Sequence, residues 1–154
     1  MPAPINILYI SISGNTRSFV EDLQEFAEQQ HQIAADQPLI TLKEISEASP
    51  LVDETVPYFA FVPTYLDGGN GIDNGVKELL TTVLGEYIAY HTNRKYCLGV
   101  VGSGNRNFNE QYCLTAKRYA RDYGFPFIGD YELRGTSTDV KRIYATLQQI
   151  AATH

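Results

Sequence analysis

Five short apolar runs alternate with stretches of helical patterning, and this alternation constrains the fold more than any other feature of the chain. The runs are Ile5–Ile10, Leu39–Leu42, Val56–Val62, Tyr96–Val101 and Pro126–Leu133. Each is short and continuous, the mark of a strand buried on both sides. Pro57 stands near the start of the third run, where a missing N–H donor is tolerated. Residues 17–31 read as a helix, with Phe19, Val20, Leu23, Phe26 and Ala27 in one stripe. Residues 73–91 read as a second helix with a weak point at Gly85. Residues 110–123 are a third, with Cys113, Ala116, Ala120 and Tyr123 on one side. A last helix is expected from an N-cap at Thr138, carrying Val140, Ile143, Tyr144, Leu147 and Ile150. Strands alternating with helices imply an α/β fold, a parallel sheet covered on both faces. Right-handed crossovers leave two common doubly wound orders, the dinucleotide-binding one and 2-1-3-4-5. In either, ligands sit at the carboxyl ends of the strands, so the loops after the first, third and fourth strands should hold the chemistry.

The chain's 154 residues fit one domain spanning 1–154. The apolar fraction of 44% is that of a globular chain, not a disordered one. A net charge of −6 argues against a nucleic-acid partner. No apolar run approaches the roughly 20 residues of a membrane span, so no membrane partner is expected. The amino-terminal residues lack the cationic and apolar regions of a secretory signal. Cys97 and Cys113 form no CxxC pair and read as buried, reduced thiols of a cytoplasmic protein. His31, His91 and His154 lack metal-ligand spacing and read as surface residues, so no metal site is expected.

The first loop, Ser11-Ile12-Ser13-Gly14-Asn15-Thr16, stands between a strand and a helix. It offers three hydroxyls, an amide and backbone N–H groups at a helix N-terminus, a set suited to a terminal phosphate. Arg17 is the only cation beside it in sequence. The second loop, Pro63-Thr64-Tyr65-Leu66-Asp67-Gly68-Gly69-Asn70-Gly71, can change backbone conformation, and Tyr65 can lie against a flat ring. The third loop runs Gly102-Ser103-Gly104-Asn105-Arg106-Asn107-Phe108-Asn109. Its amides both donate and accept, and Phe108 supplies a stacking face.

Competing motifs fail. There is no GxxxxGK[ST] and no GxSxG, and Gly102-Ser103-Gly104 lacks the third glycine of GxGxxG because Asn107 stands there. A phosphate site with two ring-contacting loops on one sheet edge describes FMN on a flavodoxin-like sheet. No catalytic acid, base or nucleophile is evident, which favours redox work by a cofactor.

The run Gly102-Ser103-Gly104-Asn105-Arg106-Asn107-Phe108, with Phe125-Pro126 and Tyr131-Glu132-Leu133-Arg134-Gly135-Thr136-Ser137-Thr138-Asp139, resembles the NrdI family. These are flavodoxin-like activators of class Ib ribonucleotide reductase. The resemblance spans nearly the whole chain; residues 33–55 match only loosely. It implies a three-layer sandwich with a five-stranded parallel sheet in order 2-1-3-4-5. It also implies a redox partner protein rather than an independent enzyme. Reduced FMN would react with dioxygen, and the oxidant, thought to be superoxide, would pass to the reductase small subunit. A dimanganese centre would be oxidised there and a tyrosyl radical formed. The manganese belongs to the partner, and a separate reductant is required.

Carried over by position, Ser11, Ser13, Asn15 and Thr16 are expected to hold the FMN phosphate, with Gly14 supplying backbone. Thr64, Tyr65, Gly68, Gly69 and Gly71 are expected to border the isoalloxazine, and Asn107 and Phe108 to contact the ring. Pro63 and Asn70, with Gly102, Ser103, Gly104 and Asn105, complete the expected cofactor-binding set. Two other readings share the fold: a general flavodoxin electron carrier and a binding module that has lost its flavin. Charge separates the first pair. Residues 1–93 hold three basic and thirteen acidic side chains, a net −10; residues 94–154 hold nine and five, a net +4. The third loop has Arg106 and no acid before Glu110. A less negative flavin edge eases full reduction, so the two one-electron potentials should lie closer together than in an acidic electron carrier.

Overall fold

A computed structural model of the chain describes residues 3–10, 14–46, 48–63, 66–67, 77–78, 83–104 and 114–153. In chain order the elements are β1 (Ile5–Tyr9), α1 (Asn15–Ile33), β2 (Ile40–Glu44), β3 (Tyr58–Pro63), β4 (Leu66–Asp67), β5 (Lys77–Glu78) and α2 (Val83–Ala89). A 3-10 turn (Asn93–Tyr96), β6 (Cys97–Gly104), α3 (Leu114–Tyr123), β7 (Phe127–Glu132) and α4 (Ser137–Ala151) follow. Five strands form one parallel sheet in order β2-β1-β3-β6-β7. Counted along the chain, this is the expected 2-1-3-4-5.

The sheet is buried on both faces because its strands are apolar on both. Ile5, Ile7 and Tyr9 of β1 and Phe59 and Phe61 of β3 face a core shared with Phe19, Val20 and Leu23 of α1 and Ile143, Tyr144 and Leu147 of α4. Leu8, Tyr58, Ala60 and Val62 face the other side, against Leu84, Tyr87 and Ile88 of α2 and Ala116 of α3. Helices α1 and α4 therefore share one face and α2 and α3 the other. Each fully buried large apolar side chain contributes on the order of 1.5–3 kcal/mol. Among the described residues, no helix is long and apolar enough to cross a membrane.

Several boundaries differ from expectation. Helix α1 begins at Asn15, not residue 17, because Gly14 takes a left-handed φ of 93° and its carbonyl accepts the Ser18 N–H at 3.0 Å. Of the helix expected over 73–91, the described residues show Val83–Ala89 as helix, whereas Lys77–Glu78 pair antiparallel with Leu66–Asp67. Helix α4 is capped by Thr136, not Thr138. The Thr136 hydroxyl accepts the Asp139 N–H, and the Asp139 carboxylate accepts the Thr136 N–H, a reciprocal capping box.

The connection from β2 to β3 carries no helix or strand among its described residues. Asn93, fully buried, holds it instead. Its amide donates to Val52 O and Tyr87 O at 2.9 Å each and its oxygen accepts the Glu54 N–H at 2.7 Å. Glu54 then receives Lys43 Nζ at 2.9 Å and the Tyr87 hydroxyl. His91 Nδ1 meets Asp53 Oδ1 at 2.8 Å on the same connection.

Candidate functional site

The chain leaves β1 for β2 on one side and returns to β3 on the other. Adjacent strands thus send their loops apart and open a crevice at the carboxyl edge. Ile10 (the residue after β1), Val62 and Pro63 of β3 and Gly102–Gly104 of β6 end side by side there, with Val62 beside Gly102 and Pro63 beside Ser103. Pro63, Gly102, Ser103 and Gly104 were expected in loops and lie instead in strands. β6 runs on because β3 on one side and β7 on the other both pair with it as far as Ser103. Ser103 is buried, a polar side chain at the strand end.

The structure places Gly14, Asn15 and Thr16 together at the start of α1, on the β1 side of this edge. Ser11, Ser13, Thr64, Tyr65, Gly68, Gly69, Asn70, Gly71, Asn105, Asn107 and Phe108 lie outside the described residues, as does Cys113.

The N-terminus of α1 is arranged to receive an acceptor from elsewhere. Its N-cap is a glycine, so no side chain caps it, and its first turn contains no acid. The Asn15 and Thr16 N–H groups have no acceptor within the helix. Thr16 is fully buried, and its Oγ1 has no hydrogen-bond partner among the described residues. Buried hydroxyls are nearly always paired, since an unmet one costs roughly 1–3 kcal/mol. Helix α4 shows the contrast: its own Thr136 and Asp139 satisfy its N-terminus.

Two arginines approach this end of α1. Arg17, the cation adjacent in sequence, turns to β2. Its Nη2 lies 2.7 and 2.8 Å from the two Glu44 oxygens, and its Nε lies 3.1 Å from one of them. The Tyr9 hydroxyl donates to the same carboxylate at 3.3 Å; burial, then the Glu44 charge, raises the Tyr9 pKa above its ordinary value. Arg134, from the turn between β7 and α4, donates from Nε to Asn15 Oδ1 at 3.1 Å. Sequence reasoning did not assign Arg134 to the phosphate loop. The available signal was topological: α1 and α4 share a face, so their N-termini lie at the same edge of the sheet.

A separate cleft of about 660 Å³ opens at the amino ends of the strands, lined by Pro4, Asn6, Pro38, Pro57, Phe59 and Leu98 among others. Its lining is mainly apolar, with Asn6, Asp36 and Gln148 the polar exceptions, and it lies at the opposite end from the polar loops.

The chain matches the family model described as NrdI Flavodoxin like over residues 7–145. It is 51% identical over 140 residues to an NrdI-like protein of Streptococcus pyogenes serotype M18 (strain MGAS8232), covering 90% of this chain and 89% of that one. It is 36% identical over 135 residues to Protein NrdI of Bartonella tribocorum (strain CIP 105476 / IBS 506), covering 87% and 86%. Among solved structures, a short-chain flavodoxin associated with a non-canonical PDU bacterial microcompartment superposes with a TM-score of 0.67 at 16% identity, covering 99% of each chain. Two-electron reduced Megasphaera elsdenii flavodoxin gives 0.58 at 17% identity, over 97% of this chain and 99% of that one. These last two likenesses establish the fold, and the sequence matches establish the kinship: the chain belongs to the NrdI flavodoxin-like family.

Proposed function

We propose that residues 1–154 act as one cytoplasmic FMN-binding domain that takes electrons from a separate reductant and passes them to dioxygen. The oxidant so made, superoxide, serves assembly of the dimanganese–tyrosyl radical centre in the small subunit of class Ib ribonucleotide reductase. The observation that carries this reading is the glycine-capped N-terminus of α1, with the unmet Thr16 hydroxyl in its first turn, in a chain of this family. A glycine cap, an acid-free first turn and the unmet Thr16 hydroxyl fit a phosphomonoester. FMN supplies the redox chemistry when bound; the protein supplies position and electrostatics.

In this reading Ser11, Ser13, Asn15 and Thr16 hold the phosphate around the Gly14 backbone. Pro63, Thr64, Tyr65, Gly68, Gly69, Asn70 and Gly71 border the ring on one side. Gly102, Ser103, Gly104, Asn105, Asn107 and Phe108 border it on the other. The test is reconstitution. Reduced protein, dioxygen and a manganese-loaded class Ib small subunit are mixed, and the tyrosyl radical is read by electron paramagnetic resonance. Radical above the protein-free control is expected. Its absence, with FMN bound, refutes the activator role and returns the chain to plain electron transfer.

A further inference from the structure

The turn between β7 and α4 is held from two sides. The Leu133 N–H donates to Gly104 O at 2.9 Å, tying the turn to the end of β6. Gly135 packs on α1: a Cβ there would lie 2.5 Å from Phe19 Cδ1, and Phe19 stacks on Tyr131 with ring centroids 3.8 Å apart. Both Leu133 and Gly135 take left-handed backbone, with φ of 54° and 72°. A leucine in that region is uncommon, so the conformation is imposed by the surrounding contacts.

The outcome is the placement of Arg134. Its Nε donates to Asn15 Oδ1 at 3.1 Å, at the first residue of α1. Among the described residues no carboxylate pairs with Arg134, whereas Arg17 meets Glu44, Arg121 meets Asp122 and Arg142 meets Asp139. A guanidinium at the positive end of a helix is electrostatically unfavourable by itself. The arrangement becomes favourable when an anion sits at the same end. The fully buried, unmet Thr16 hydroxyl in the same first turn independently points to an absent acceptor. With Nε engaged, the two terminal nitrogens of Arg134 remain to grip two oxygens of a tetrahedral anion. With its oxygen engaged, the Asn15 amide is left to present its NH2 donors.

We propose that Arg134 is a ligand of the terminal phosphomonoester dianion of the bound flavin nucleotide and sets this chain's preference for phosphorylated flavin over riboflavin. This rests on the FMN reading above. It makes the β7–α4 turn part of the phosphate site, which the first loop would otherwise form alone.

The test titrates flavin-free protein with FMN and with riboflavin, reading flavin fluorescence at low and at raised salt. Arg134→Gln should weaken FMN about ten- to a hundredfold, the size of one charge-assisted contact. It should leave riboflavin within about twofold and flatten the salt dependence of FMN binding. Arg134→Lys should recover part of the FMN affinity. Lys141→Gln, which removes an exposed charge from α4, should change neither. An equal loss for FMN and riboflavin in Arg134→Gln, or no loss of FMN, overturns the role of Arg134 while leaving FMN binding intact. Wild-type protein that binds neither flavin overturns this inference together with the FMN reading.

Discussion

Thr16→Val separates the cost of the unmet hydroxyl from its use. Thr16 is fully buried at the second position of α1, and its Oγ1 has no partner among the described residues. Valine keeps the branched shape and ranks beside threonine in helix propensity, so the exchange removes mainly the hydroxyl. In the flavin-free protein that hydroxyl costs roughly 1–3 kcal/mol, and its removal should raise stability by about 1–2 kcal/mol. For a chain of this length that raises Tm by about 2–6 °C. If Thr16 holds the FMN phosphate as proposed, the same hydroxyl there donates to a charged acceptor, worth roughly 1.5–3 kcal/mol. FMN should therefore bind about ten- to 150-fold more weakly, while riboflavin binding should hardly change. The two effects have opposite sign, which ordinary core damage cannot mimic. Urea unfolding of the flavin-free protein and fluorescence titration with both flavins make the measurement. A variant that loses 1 kcal/mol or more without flavin, yet keeps wild-type FMN affinity, would show that the hydroxyl serves packing and not phosphate.

Asn93→Ala removes three hydrogen bonds that fasten the β2–β3 connection, to Val52 O, Tyr87 O and the Glu54 N–H, and should cost about 3 kcal/mol in urea unfolding; a loss below 1 kcal/mol would mean the connection holds itself. Gly135→Ala combines a φ of 72° with a Cβ 2.5 Å from Phe19, and thermal denaturation should show a loss of about 2–3 kcal/mol. It should also weaken FMN more than riboflavin, because it shifts the turn that carries Arg134; equal effects on both flavins would count against that coupling. The Asp139 carboxyl is subject to partial burial, which alone raises its pKa, but the Arg142 guanidinium and the Thr136 hydrogen bonds outweigh this and hold it below the ordinary value. Its stabilisation is thus complete above the unfolded-state pKa of about 4 and lost as pH falls through the lower folded-state value. Asp139→Ala should cost about 1 kcal/mol near pH 7, a gap that closes in acid; a gap unchanged down to pH 2 would refute the assignment.

What the sequence made legible was local, and what it hid depends on pairing across the fold. Tyr58-Phe59-Ala60-Phe61-Val62 announces a strand buried on both faces because every residue is apolar, and the structure buries all five. The helix start after the first strand was legible for the same reason: glycine and polar residues are neighbours in the chain there, and α1 begins at Asn15 behind Gly14. Thr136 was legible too, since a hydroxyl residue three positions before Asp139 is the capping-box spacing, and Thr138 was a misreading of it. The two-residue strands β4 and β5 were not legible, because so short a strand exists only through its partner. Nor were the strand ends at Gly102–Gly104, whose glycines read as loop until flanking strands pair with them. The charge around the start of α1 shows the distinction most sharply. Adjacency offered Arg17, but Glu44, 27 residues away, claims it. The cation that meets Asn15 comes from 119 residues away. Strand order explains why. Helices α1 and α4 cover the same face of the sheet, and both begin at its carboxyl edge, so the turn entering α4 must pass close to the start of α1. The left-handed pair at Leu133 and Gly135 then decides which side chain of that turn reaches across. On the proposed reading the phosphate end of the site is a product of the topology as much as of the loop motif, and a family member with another residue at this position should discriminate less between FMN and riboflavin.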